Sequence, residues 1–144
     1  VKKMKETGAV IGGEGNGGVI YPALHYGRDA LVGVTLFLTL LAQKGVKISE
    51  LRKSYPSYYI SKNRIDLTPD IDVDGVLAEM KRRYATERVT DIDGVKIDFP
   101  QEWVHLRKSN TEPIIRIYAE SRDKDSADAL ASRIMQEIAT ICKL

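Results

Sequence analysis

The chain has a single cysteine, Cys142, so it cannot cross-link itself. That absence points to a reducing, cytoplasmic compartment. Cys142 lies near the end of a helical pattern, where a half-buried inert thiol is expected rather than a reactive one. Histidine is almost as scarce. His25 and His105 stand apart, with no cysteine or paired acid at ligand spacing, which excludes a metal site of the usual kind. No long hydrophobic run is present: the most apolar stretch, residues 30–42, is broken by Gly33, Thr35 and Thr39. Crossing a bilayer takes about 20 apolar residues, so the stretch reads as a buried helix of a soluble core, with no membrane partner. Net charge is scarce too. The 22 basic and 20 acidic side chains leave only +2 and are interspersed, which argues against a nucleic-acid partner. The opening Val1-Lys2-Lys3-Met4-Lys5 lacks both an initiator methionine and a following apolar segment. It reads as a cut inside a longer protein rather than a secretory signal.

What is present is an ordinary globular composition, 43% apolar and 29% charged, enough for one domain or a small domain plus part of another. Ala9-Val10-Ile11 is expected to form a short buried strand ending at glycines. The stretch Gly12-Gly13-Glu14-Gly15-Asn16-Gly17-Gly18 follows, with five glycines in seven positions. So much glycine implies positive φ or close backbone approach to a partner. Its two side chains, Glu14 and Asn16, can hold adjacent sugar hydroxyls, although a flexible turn has the same composition. Asp29 is expected to cap a helix over 30–43 that Gly45 ends, and Ser49 to cap a second over 49–54. Pro56 and the polar tract after it mark a boundary, giving regions 1–55 and 56–144.

Beyond the boundary the pattern predicts strands at 58–67, 88–92, 95–99, 103–106 and 114–118. Helices are predicted over 72–84 and 123–142, each with one apolar stripe. Asp93-Gly94 is a two-residue hairpin signal. The order β-α-β-β-β-β-α defines an α+β domain with a mostly antiparallel sheet covered by two helices. Between the last two strands lies Arg107-Lys108-Ser109-Asn110-Thr111-Glu112-Pro113. A guanidinium, two hydroxyls, a carboxamide and backbone N–H groups make a donor set suited to phosphate, though ordinary polar turns use the same residue types.

Together the two loops resemble those of the α-D-phosphohexomutase family, whose members include phosphoglucomutase, phosphomannomutase and phosphoglucosamine mutase. Residues 13–18 line up with the family's sugar loop G-E-x-S-G-H, and 107–113 match its phosphate loop R-x-S-[NG]-T-E-P throughout. Gly27-Arg28-Asp29-Ala30 is similar to the G-R-D-A that follows the sugar loop. The resemblance implies an isomerase that interconverts hexose 6-phosphate and hexose 1-phosphate through a bisphosphate. It uses a phosphoserine in domain one and Mg2+ on an aspartate loop in domain two. Residues 1–55 are then the end of domain three and 56–144 domain four, with the remaining domains of the parent chain as partners. Glu14 and Asn16 are implied to read the sugar, and Arg107, Ser109, Asn110, Thr111 and Arg116 to hold the phosphate that is not transferred. Lys108 is expected to be solvated, and Glu112 and Pro113 to shape the loop.

Neither a T-x-S-H-N-P serine loop nor a D-G-D-x-D-R metal loop occurs in these residues. The expectation is therefore no catalytic residue here and no turnover by this chain alone. The sugar loop departs from the family at Asn16, usually Ser, and Gly18, usually a proposed proton-carrying His. Asn110 favours the phosphomannomutase/phosphoglucomutase branch. Glu112-Pro113 and Arg116 lean toward the glucosamine branch. The resemblance therefore implies a phosphomannomutase/phosphoglucomutase fragment first and a phosphoglucosamine mutase fragment second; outside the enzyme class, the alternatives are a stand-alone phosphosugar-binding module and a purely structural α+β domain.

Overall fold

The computed structural model describes residues 1–14, 17–68, 70–109 and 111–143, which divide into two compact units, Val1–Pro56 and Ser57–Leu144. In the first unit, helix α1 (Lys2–Thr7) precedes strands β1 (Gly12–Gly13) and β2 (Val19–Ile20), followed by α2 (Ala30–Lys44) and α3 (Ile48–Lys53). The expected strand at 9–11 does not form. Pairing begins instead at the glycines, Gly12 opposite Ile20 and Gly13 opposite Val19, while Val10 and Ile11 are exposed. An apolar run becomes a strand only where a neighbouring strand takes its backbone groups, and here the hairpin supplies that neighbour two residues later.

Asp29 caps α2 as expected, its Oδ1 accepting the Val32 N–H at 3.0 Å. Gly45 ends the helix with φ 62° and donates its N–H to the Leu41 carbonyl. Gly33 lets α2 approach the hairpin, since a Cβ there would lie 2.9 Å from Val19 Cγ2. The buried-helix expectation fails, however. No α2 residue is buried, and Leu31 is 79% exposed. An all-round apolar helix needs apolar layers on several sides, and the short hairpin covers only one. The third helix begins before Ser49, with Lys47 at its N-cap and the Lys47 N–H donating to Glu50 Oε2 at 3.3 Å.

The second unit contains β3 (Tyr59–Asp66), α4 (Val73–Arg83), β4 (Arg88–Thr90), β5 (Val95–Asp98), β6 (Trp103–Lys108), β7 (Ile114–Ser121) and α5 (Lys124–Cys142). This is the expected β-α-β-β-β-β-α order. The sheet runs β3-β7-β6-β5-β4 with every pairing antiparallel. Strand alternation sends Ile97, Val104, Leu106, Ile115, Ile117 and Ala119 to one face, where Val76, Leu77 and Met80 of α4 and Leu130, Ile134 and Ile138 of α5 meet them. Each such large side chain contributes roughly 1.5–3 kcal/mol by leaving water. The opposite face carries polar side chains and no helix among the described residues.

Two details differ from expectation. The β4–β5 connection is longer than a two-residue turn: Thr90 opposite Lys96 is the last pair, and Ile92 is 92% exposed. Gly94, at φ 77°, packs so close to β6 that a Cβ would lie 2.1 Å from the Leu106 carbonyl oxygen. Strand β6 also extends to Lys108, so Arg107 and Lys108 sit in the sheet rather than in the turn. Among the described residues no helix is long and apolar enough to cross a membrane.

Candidate functional site

The phosphate-loop residues are positioned by the register of the three strands at one side of the sheet. Arg107 on β6 lies directly opposite Arg116 on β7, which lies directly opposite Arg64 on β3. Cross-strand partners share a face, so the three arginines form one row on the helix-free side. The outer two are partly neutralised: Arg107 Nε is 3.2 Å from Asp93 Oδ2, and Arg64 Nε is 3.4 Å from Asp66 Oδ1. Arg116, in the middle, has no carboxylate partner among the described residues. The next row is Lys62, Tyr118, His105 and Lys96, on β3, β7, β6 and β5. His105, Arg107, Arg116 and Tyr118 together line a small pocket of about 50 Å³.

The loop beyond β6 is tied at both ends. Ser109 is buried, its N–H donates to the Ile114 carbonyl at 3.1 Å, and its Oγ is 3.4 Å from the Thr111 hydroxyl and the Thr111 N–H. The Ile114 N–H donates to the Glu112 carbonyl and the Leu67 N–H to the Pro113 carbonyl, so these two residues shape the loop through their backbone. Lys108 is not simply solvated: its Nζ reaches Asp74 Oδ2 in the first turn of α4 at 2.6 Å. That pair anchors the loop to the helix on the far side of the sheet from the arginines. Asn110 lies outside the described residues.

In the first unit, Glu14 follows β1, its N–H donating to the Gly18 carbonyl at 2.9 Å and its Oε2 lying 3.6 Å from Arg28 Nη1. The Asp29 N–H donates to the Val19 carbonyl at 2.7 Å, which fixes residues 28–29 beside the hairpin. The Asp29 carboxyl is held below its usual range, first by the Val32 N–H and then by His25. Asn16 lies outside the described residues. The GRDA stretch thus caps α2 through Asp29, as expected, and also brings Arg28 to Glu14, a contact its sequence alone does not announce. His105, Tyr118 and Arg64 were likewise not singled out as site residues from the sequence. The signal that finds them is register, because strand neighbours separated by dozens of residues share a row.

Two family models match the chain: phosphoglucomutase/phosphomannomutase, C-terminal domain, over residues 66–137, and phosphoglucomutase/phosphomannomutase, alpha/beta/alpha domain III, over residues 1–59. The chain belongs to the phosphoglucomutase/phosphomannomutase family. A phosphoglucosamine/phosphogalactosamine mutase of Sulfurisphaera tokodaii is 40% identical over 134 residues, 92% of this chain and 30% of that protein. A phosphoglucomutase/phosphomannomutase of Thermococcus kodakarensis is 35% identical over 127 residues, 88% of this chain and 28% of that protein. Among solved structures, a phosphoglucomutase/phosphomannomutase family protein from Burkholderia thailandensis shares the fold, with a TM-score of 0.72 at 23% identity over 99% of this chain and 30% of its own. The chain therefore spans about a third of the length of the curated relatives it matches.

Proposed function

We propose that this chain is the substrate-holding part of a phosphohexomutase, an isomerase that interconverts hexose 6-phosphate and hexose 1-phosphate through a bisphosphate. Residues 1–55 supply the end of domain three, with Glu14 and Asn16 reading sugar hydroxyls. Residues 56–144 supply domain four, with Arg107, Ser109, Asn110, Thr111 and Arg116 gripping the phosphate that stays in place. The observation that carries the reading is Arg116, flanked by two arginines, without a carboxylate partner among the described residues, and lining a small pocket with Arg107, the residue that leads into the Ser109–Thr111 loop. Like charges directly opposite in a sheet are destabilising, and a bound dianion offsets that cost. The planar guanidinium of Arg107 suits a bidentate grip on phosphate oxygens, and the loop hydroxyls and N–H groups add neutral donors.

The Mg2+ that the family implies does not fit these residues. Among those described, no three His, Cys, Asp or Glu side chains come together as metal ligands. The metal and the phosphoserine belong, on this reading, to other domains of a cytoplasmic parent, and the chain alone turns over no substrate. A second reading, an aminosugar substrate, is favoured by the relative at 40% identity, whose name is phosphoglucosamine/phosphogalactosamine mutase.

The test is a titration of the isotope-labelled chain with mannose 1-phosphate, glucose 1-phosphate and glucosamine 1-phosphate, followed by NMR. Shifts at Ser109 and Thr111 are expected with all three sugars. A preference for the glucosamine ester selects the second reading. The Arg107→Lys variant keeps the charge but loses the fork, so phosphate affinity weakens by about 1–3 kcal/mol. An unchanged affinity in that variant removes Arg107 from the site, and shifts at neither loop defeat the phosphosugar reading.

A further inference from the structure

His105 shares the pocket with both site arginines, and its ring is held in a defined way. Nε2 lies 2.6 Å from the backbone carbonyl oxygen of Asp93. A carbonyl can only accept, so Nε2 carries the hydrogen and donates it. Any second proton on the ring must then go to Nδ1, the nitrogen left without a protein partner among the described residues. We propose that His105 is a pH-gated ligand of the anion held by Arg107 and Arg116: protonated, it adds a third cation and an Nδ1–H donor to the pocket; neutral, it adds neither.

This inference rests on the phosphate-clamp reading of the pocket and deepens it. The groups facing the ring are accounted for on every side. Lys96 on β5 is its direct strand partner and is engaged by Asp98 and stacked over Trp103. Tyr118 on β7 is its other partner, with the Lys62 ammonium of β3 over the tyrosine ring at 5.6 Å. Arg107 on its own strand and Arg116 on β7 complete the pocket, and the carboxylates nearest the ring among the described residues are already engaged, Asp93 by Arg107, Asp98 by Lys96 and Glu120 by the Trp103 N–H. The surroundings are thus net cationic before an anion enters. A bound dianion reverses that balance, so anion binding and proton uptake at His105 favour each other.

The test uses sulfate, a tetrahedral dianion that does not itself titrate near neutrality, at constant ionic strength so that screening does not vary. Affinity of the 144-residue chain for sulfate is measured calorimetrically from pH 5.5 to pH 8, together with His105→Gln and Arg107→Lys. The glutamine can still donate to the Asp93 carbonyl but cannot take a proton. The expected result is about a fivefold weakening across that range in the wild type, the size of one added charge contact at a partly exposed site. His105→Gln should bind with little pH dependence. The imidazole proton resonances give a second readout: sulfate should draw the His105 signal toward its protonated position, leaving that of His25 in place as an internal control. If His105→Gln keeps the wild-type pH slope while Arg107→Lys still weakens binding, the histidine proposal is wrong and the phosphate clamp stands. If sulfate binds at no pH, the clamp and this inference fall together.

Discussion

Arg116 shows how the site is built at the scale of single residues. Its neighbours across both strands are arginines, and the carboxylates that could neutralise it are engaged elsewhere, Asp93 by Arg107 and Asp66 by Arg64. The arrangement depends on the β4–β5 connection, because Asp93 holds Arg107 through its carboxylate and His105 through its carbonyl. Gly94 sets the position of that connection. Gly94→Ala would force a Cβ into 2.1 Å contact with the β6 backbone at a positive φ. The chain cannot relieve this by moving a side chain. Destabilisation of about 2 kcal/mol or more is expected, read as a lower denaturant midpoint. Phosphate affinity should fall as well, since Arg107 and His105 lose their common support. A wild-type midpoint in this variant would show that the loop yields freely. In sequence, Asp93-Gly94 was legible only as a turn. Arg107, Ser109 and Thr111 were legible as donors, and Arg116 as an oddity in an apolar strand. Their convergence was not, because it depends on which strands are neighbours: β3 pairs with β7 across all of α4, β4, β5 and β6, and no local pattern encodes that.

At the scale of elements, the C-cap residue of α4, Tyr84, makes a polar contact with α5 at the edge of the core. Tyr84 Oη donates to Glu137 Oε1 at 2.7 Å, and the Tyr84 ring meets Phe99 edge-on. The phenol is pushed up to about 12, first by burial and then by its bond to Glu137. Because the folded state holds this proton more tightly than the unfolded chain, the stabilisation is complete below the ordinary tyrosine range near pH 10. It is lost as pH rises from there to about 12. Tyr84→Phe should therefore lower the thermal midpoint at neutral pH and narrow the gap to wild type in that alkaline window. A gap independent of pH would mean that the hydroxyl bond contributes nothing. Both helices were legible from their 3.6-residue stripes, as was the antiparallel order of the strands between them. The failures at residues 9–11 and at α2 have one cause. Hydrophobic pattern reports that a segment could be covered, whereas strand pairing and burial depend on what lies against it.

Taken as a whole molecule, the chain has two units of different construction. The second closes a full core: a five-stranded sheet with two helices on one face and fully buried residues such as Ile117, Ile134 and Ile138. The first has a two-stranded sheet of two residues per strand and a 15-residue helix with no buried residue. The family describes this region as alpha/beta/alpha, a design in which helix faces like that of α2 lie against a sheet layer. The described residues of the first unit contain no such layer. Local opening costs what burial and hydrogen bonding withhold from water, so the two units should differ in amide exchange. Amides of β6, β7 and α5 should exchange only through global unfolding and slow together. Those of α2 should exchange at least about a hundredfold faster, because opening this helix exposes little surface that is not already exposed. Peptide-resolved hydrogen exchange at neutral pH measures this directly. Equal protection of α2 and α5 would show that the apolar face of α2 is covered in solution, for which self-association of the chain at the measuring concentration would be the first explanation to test by dilution.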